Sequence, residues 1–198
     1  MNRPLKLKDI DRFFETLSKE WRYPAEILLL GGAVALIIGG KRPTLDIDFE
    51  VSVISKPERL EDFVNKAIEI KDRIGVDIQF SESIERWSQI SFLDYNRHKR
   101  PYKKYGKISV KILEPAYWSI GKVSRYWLRD IEDMELVFSK EKPDPIYLAR
   151  LWLKALEKSP VSTALFGVKK QMRHFFENSG PKIWGKDLPL PKILSLFR

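Results

Sequence analysis

The sequence predicts an α+β (α/β-like) fold, a sheet covered by helices followed by a helical C-terminal part, on three observations. Leu45–Val53 alternates almost perfectly between apolar and acidic residues, the period of a half-buried strand. A proline-started amphipathic segment and a second alternating run, Val76 to Phe80, follow at short intervals, giving a strand, helix, strand order. From Pro115 onward every apolar pattern is helical.

Element by element, Leu5 to Trp21 sets Ile10, Phe13, Phe14 and Leu17 at helical spacing among charges, an amphipathic helix. Ile27 to Leu30 is a short buried strand or helix start closed by Gly31-Gly32. Ala33 to Ile38 reaches helix length with its flanking glycines, and Gly39 to Pro43 is a turn cluster. Leu45, Ile47, Phe49, Val51 and Val53 share one face of the alternating strand. Pro57 opens a helix whose apolar side is Leu60, Phe63, Val64, Ala67, Ile68 and Ile70, and Gly75 ends it. After Trp87 the pattern blurs until Lys107–Leu113, a third strand with Ile108, Val110 and Ile112 inward. Three helices are expected beyond it, at roughly 115–139, 145–158 and 160–178, separated by prolines and a Ser-Gly-Pro break. Trp118, Trp127, Trp152 and Trp184 are expected as packing between helices. The organisation implied is a sheet-bearing part over residues 1–139 and a basic helical extension over 140–198.

Composition narrows the chemistry. There is no cysteine and only two histidines, His98 and His174, so thiolate nucleophiles, disulfides and multi-histidine metal sites are excluded. Any metal chemistry must fall to carboxylates. The chain carries 36 Lys+Arg against 27 Asp+Glu, a net charge of +9, which favours polyanionic partners. That excess is uneven: residues 140–198 hold 12 basic and 5 acidic side chains, the remainder 24 and 22. The longest apolar run is interrupted by two glycines and is too short to span a membrane, and the N-terminus lacks the apolar stretch of a signal peptide. A cytoplasmic protein is expected.

On the acidic strand, Asp46, Asp48 and Glu50 leave the same face at intervals of two. One reading is the solvated face of a half-exposed strand. The other is a cation site, because like charges gathered in a cleft need a compensating cation. Upstream, Gly31-Gly32 opens a helix where N–H groups can hold phosphate. Downstream, Asp77 alternates with Val76 and Ile78 and joins the first two acids if the strands pair with matching faces.

A glycine pair, then Thr44-Leu45-Asp46-Ile47-Asp48-Phe49-Glu50, then an acid on a following strand resembles the nucleotidyltransferase superfamily with the DNA polymerase β-like fold. The superfamily commonly has Gly-Ser where this chain has Gly31-Gly32. The Gly-Gly form resembles a subgroup, the AbiEii-type toxins of toxin–antitoxin systems and their minimal relatives. Lys122 and Arg125 followed by Arg129-Asp130-Ile131-Glu132-Asp133 are similar to that subgroup's Lys…Arg…Arg-Asp-x-x-Asp helix. The resemblance covers roughly residues 25–138. It implies a small mixed sheet flanked by helices and a transfer of NMP from an NTP to a hydroxyl of RNA, the tRNA acceptor end included, or of protein. It further implies two Mg²⁺ ions, with Mn²⁺ as a substitute, on Asp46 and Asp48, Asp77 as third ligand and base, and an antitoxin as a partner. Mg²⁺ suits such a site, being a hard cation held by one or two carboxylates plus substrate phosphates.

Around that centre, Gly31, Gly32, Thr44 and Lys122 are the expected nucleotide contacts. Lys122, Arg125 and Arg129 recur at intervals of three and four residues and so share a helical face. The bland alternative is a solvated face paired with Asp130 and Asp133. Arg97–Lys111 contains seven Lys+Arg, no acid, and Tyr102 and Tyr105 interleaved. It reads either as a flexible nucleic-acid-binding arm, with Arg97, Lys99, Arg100, Lys103 and Lys104 on phosphates, or as a solvated hairpin or loop. Lys169, Lys170, Arg173 and His174 lie on the helical side opposite Val168, Met172 and Phe175, a basic groove or a covering helix. A second function class stays open, a nucleotidyltransferase-like nucleic-acid- or partner-binding module with little catalysis. Transfer to a small-molecule hydroxyl is a third, less suited to the charge.

Overall fold

The computed structural model describes residues 3–54, 56–86 and 88–197; the outer limits 1 and 198 of the two expected parts lie outside the described residues. The architecture is α+β. The chain divides into two compact units, Met1–Ile84 with Lys99–Leu113, and Glu85–His98 with Glu114–Arg198. The division therefore falls at Leu113 rather than at 139, because the helices that follow Pro115 pack with the later helices.

The first unit holds α1 (Leu7–Glu20), β1 (Ala25–Leu29), α2 (Gly31–Ile37), β2 (Ile47–Val53), α3 (Leu60–Ile74), β3 (Ile78–Ser81), β4 (Lys99–Tyr105) and β5 (Ile108–Leu113). The strands form one mixed sheet in the order β3-β2-β1-β5-β4. β1 runs antiparallel to β2 and parallel to β5, β2 runs parallel to β3, and β4 closes the edge antiparallel to β5. Ile27 lies beside Val51 and Val110 in this register, and Phe49 beside Phe80, so the apolar faces coincide. Phe13 and Phe14 of α1 meet Phe49, Phe14 meets Tyr105, and Trp21 meets Phe63 of α3. Gly75 ends α3 in the left-handed conformation (φ 68°), the role its position in the sequence predicts.

β4 decides between the two readings of the basic stretch in favour of the hairpin. The basic stretch is the edge strand of a hairpin, joined to β5 by Gly106-Lys107 with Gly106 at φ 54°. Only Tyr105 of its seven residues is buried. Lysines and Pro101, with a register shift beside it, are what an edge strand uses to refuse further pairing.

The second unit contains α4 (Pro115–Arg125), α5 (Leu128–Glu141), α6 (Pro145–Glu157), α7 (Val168–Asn178), α8 (Gly180–Trp184) and α9 (Leu190–Leu196). The expected helix 115–139 is two helices, broken at Tyr126, which takes a left-handed conformation (φ 56°). Phe138, Trp152, Phe175, Phe176, Trp184 and Phe197 form its aromatic core. Trp152 Nε1 donates to Ser119 Oγ at 2.9 Å, and Trp184 Nε1 to the Pro143 carbonyl at 2.9 Å. Trp118, Trp152 and Trp184 are buried as expected; Trp127 is not, being 68% exposed. No helix among the described residues is long and apolar enough to cross a membrane.

Candidate functional site

Four of the expected site residues meet at the end of β1. The Leu30 N–H donates to the Asp48 carbonyl at 2.9 Å, tying the start of α2 to β2. Gly31 follows at φ +58°, and a Cβ placed on it would lie 2.0 Å from Asp48 Oδ2. A Cβ on Gly32 would lie 2.7 Å from Thr44 Oγ1. Gly31 is required by its left-handed backbone, and a side chain at either glycine would press on the Asp48 carboxylate or the Thr44 hydroxyl. Thr44 is buried and bridges Leu5 through two backbone bonds, Leu5 N to Thr44 O at 2.7 Å and Thr44 N to Leu5 O at 3.2 Å. Its hydroxyl thus packs on the first turn of α2.

Asp46 lies at the bend before β2, and its Oδ2 accepts from Gln79 Nε2 at 2.9 Å. Gln79 is paired with Asp48 across the β2–β3 ladder, so Asp46 and Asp48 address the same side of the sheet. The sequence carried no signal for Gln79, since its role depends on strand register alone. Asp77 comes beside Asp46 through its backbone, its carbonyl accepting from Ile47 N at 2.9 Å. Its carboxylate lies 3.6 Å from Lys71 Nζ. Among the described residues no three of His, Cys, Asp and Glu come together as a metal-holding group. The half-exposed pair Asp46 and Asp48 fits the other mode, two carboxylates completed by substrate phosphates.

Glu50, the third acid of the alternating set, is a structural residue. It is 7% exposed, its Oε2 accepts from Ile84 N at 2.8 Å, and Lys99 Nζ lies 3.5 Å from Oε1. Lys99 also reaches Glu26 at 3.4 Å, and Lys111 pairs with Glu26 at 2.6 Å. Burial opposes the charge on Glu26, yet the two lysines prevail and hold its carboxyl below the usual range. The same side of the sheet thus carries neutralised charges next to the acidic pair.

The expected nucleic-acid residues are scattered in role. Lys99 is committed to Glu26 and Glu50, and Lys103 to Asp11 and Glu15 of α1 at 3.3 and 3.8 Å. The Tyr102 and Tyr105 hydroxyls both donate to Asp11. Burial and the Asp11 carboxylate push both phenols up, Tyr102 to about 12. These rings are thus anchored to α1 rather than presented on an arm. Lys104 is exposed, Arg100 is half-buried on β4, and Arg97 is exposed in the second unit. His98 stacks on Tyr117 at 3.8 Å between ring centroids and bonds Glu114 through Nδ1 at 3.0 Å.

Lys122 is 4% exposed. Its Nζ lies 2.9 Å from Asp130 Oδ1 and 2.8 Å from Asp133 Oδ2, and 5.4 Å from the Trp118 ring centroid. Arg125 adds two bonds to Asp130, at 2.9 and 3.2 Å. Burial works against the Asp130 charge, but the Arg125 bonds and the Lys122 charge outweigh it and lower its pKa. A phosphate at Lys122 would compete with two carboxylates. Because α4 ends at Arg125, Arg129 belongs to α5 and does not share the Lys122 face.

Comparison with protein-family models, with curated proteins and with solved structures finds no match.

Proposed function

We propose that the protein is a nucleotidyltransferase acting at the Gly31–Asp48 cradle, moving NMP from an NTP to a hydroxyl of RNA or protein. One observation carries the reading: a Cβ on Gly31 would lie 2.0 Å from Asp48 Oδ2 and a Cβ on Gly32 2.7 Å from Thr44 Oγ1, so that a Cβ-free stretch of backbone, the Asp48 carboxylate and the Thr44 hydroxyl sit together. Glycine at that place lets a polyphosphate approach the backbone, while Asp46 and Asp48 are the residues that would hold Mg²⁺ or Mn²⁺. The bound cation would supply charge neutralisation for the phosphates.

In the reaction proposed, the acceptor oxygen forms a bond to Pα, the bond from Pα to the bridging oxygen of the β-phosphate breaks, and pyrophosphate leaves with that electron pair. The acceptor proton is assigned to the Asp77 carboxylate; the Asp77 backbone carbonyl accepts from Ile47 N next to Asp46, and the carboxylate itself lies 3.6 Å from Lys71 Nζ. Gln79 orients Asp46 through its amide. Little else is asked of the side chains, since positioning and charge stabilisation carry such transfers. This chemistry needs neither cysteine nor additional histidine. A toxin whose transfer disables an RNA or protein target, held in check by an antitoxin, is the biological setting that the subgroup resemblance suggests.

A second reading, a binding module with little catalysis, is favoured by the Asp77–Lys71 contact, which draws the third acid toward a cation of its own unit. Incubation with each α-labelled NTP, Mn²⁺ and total RNA or cell protein separates the two. Transfer that disappears in Asp48→Asn supports the enzyme; transfer unchanged by that substitution rules the assignment out, and no transfer with any NTP or acceptor leaves the binding module.

A further inference from the structure

The second unit presents aromatic rings in a way the first does not. α7 buries Val168, Met172, Phe175 and Phe176 and turns Lys169, Lys170, Arg173 and His174 outward. Phe166 precedes this helix and is 94% exposed. Phe166 (φ −58°, ψ −34°) and Gly167 (φ −92°, ψ −7°) both have near-helical backbone, so Phe166 continues the row of Lys170 and His174 at intervals of four. The row spans about 12 Å. At its far end Tyr126 Oη and His174 Nδ1 are 2.8 Å apart, with the rings edge to face. The next residue in the chain is the exposed Trp127, whose ring centroid lies 5.9 Å from the Arg125 guanidinium carbon. Arg129, the second residue of α5, is exposed as well.

We infer that this surface, from Phe166 along α7 to Trp127, binds a short unpaired stretch of nucleic acid, its bases stacking on Phe166 and Trp127 and its phosphates lying on Lys170, Arg173 and Arg129. Charge complementarity and ring exposure are the two reasons. The cations here outnumber the acids nearby, which are Glu177, bonded to Arg173 at 2.9 Å, Glu132, and Glu135, which acts on Tyr126 and is paired with Lys182 at 3.0 Å. An acidic protein loop would need the cations alone, whereas two exposed rings placed at the ends of a basic row suit bases, because every base has a face to stack. The contrast with β4 is direct: its tyrosines are tied to Asp11, and its Lys99 and Lys103 to carboxylates. The surface lies wholly in the second unit and does not depend on the transfer reaction proposed above.

The test is fluorescence anisotropy of a labelled ten-nucleotide, unstructured RNA with the full chain, without NTP or divalent metal. Trp127→Ala and Phe166→Ala are each expected to weaken binding about 5- to 150-fold, and Trp127→Phe to retain most of it. Lys170→Glu with Arg173→Glu should make the dependence of log K on log salt shallower by about 0.7 for each phosphate that is no longer neutralised. Both ring residues are exposed, so melting temperatures unchanged from the parent are expected and are measured alongside. Asp46→Asn should bind RNA as the parent does, so that failure of the transfer reaction and failure of this surface are separate results. Affinity within twofold of the parent in both alanine variants would overturn the inference. Equal affinity for a duplex of the same length, or for polyglutamate of equal charge, would also overturn it.

Discussion

The acidic pair beside Gly31 and the acidic pair beneath Lys122 use the same residue type to opposite ends. Asp130 and Asp133 are buried, and each has a lysine or arginine nitrogen within 3 Å. Such a cluster is costly to open, because removing one partner strands an uncompensated charge in the interior. Asp46 and Asp48 are half-exposed, and what holds Asp46 is an amide, not a cation. Stability explains the first pair. At Gly31 the Asp48 carboxylate lies against a backbone without a Cβ, with Asp46 two residues before it on the same side of the sheet, and it is there that the transfer is proposed.

The contrast breaks most visibly at Lys122. Lys122→Met should cost about 3 to 5 kcal/mol, read as a lowered urea midpoint with unchanged slope; a loss under about 1 kcal/mol would mean that the cluster is open to water. Gly31→Ala should cost about 1 to 2 kcal/mol for a left-handed non-glycine residue. It should also abolish NMP transfer, because the new Cβ would lie 2.0 Å from Asp48 Oδ2 and displace the carboxylate. Retained transfer would show that Asp48 serves elsewhere.

Acid titration sharpens the comparison further. The folded Asp130 pKa is lowered, so its contribution is fully present above the unfolded value near 3.9 and is lost as pH falls through the folded one. Asp130→Asn should therefore be less stable than the parent at neutral pH, with the gap closing below about pH 4; a gap constant with pH would contradict the assignment. The smallest stability effect belongs to Asp46→Asn, expected within about 0.5 kcal/mol of the parent while transfer is lost. A large stability loss there would make Asp46 a structural residue like Glu50.

Much of the sheet could be read from the sequence because β2 and β5 bury one full face, so the period of two survives in residues such as Ile47, Phe49, Ile108 and Val110. β4 could not be read that way, since an edge strand of Lys, Arg, Pro and Tyr has almost no buried face. The remaining clue was the two-residue Gly106-Lys107 connection, a hairpin signal. The break at Tyr126 was hidden because a tyrosine, not a glycine or proline, takes the left-handed turn. The convergence of Gly31, Gly32, Thr44 and Asp48 was expected from the nucleotidyltransferase resemblance that their order in the sequence carries. The pairing of Lys122 with Asp130 and Asp133 was one of two readings open in the sequence, though as a solvated face and not a buried cluster; the commitment of Glu50 to Ile84 and Lys99 was not legible, because those partners lie 34 and 49 residues away. Trp127 misled for a simpler reason: an exposed tryptophan and a buried one look alike in a sequence.

Asp46 and Asp48 are proposed to bind a cation together with a nucleotide at the glycine cradle. Thermal unfolding with Mn²⁺ and each of four non-hydrolysable NTP analogues tests it without requiring an acceptor. At a ligand concentration of about 100 times Kd, binding adds about 2.7 kcal/mol. With at least one analogue the parent protein should therefore melt several degrees higher, and the Asp46→Asn/Asp48→Asn double variant should show no shift. An equal shift in the double variant, or none in the parent with any analogue, would contradict the account.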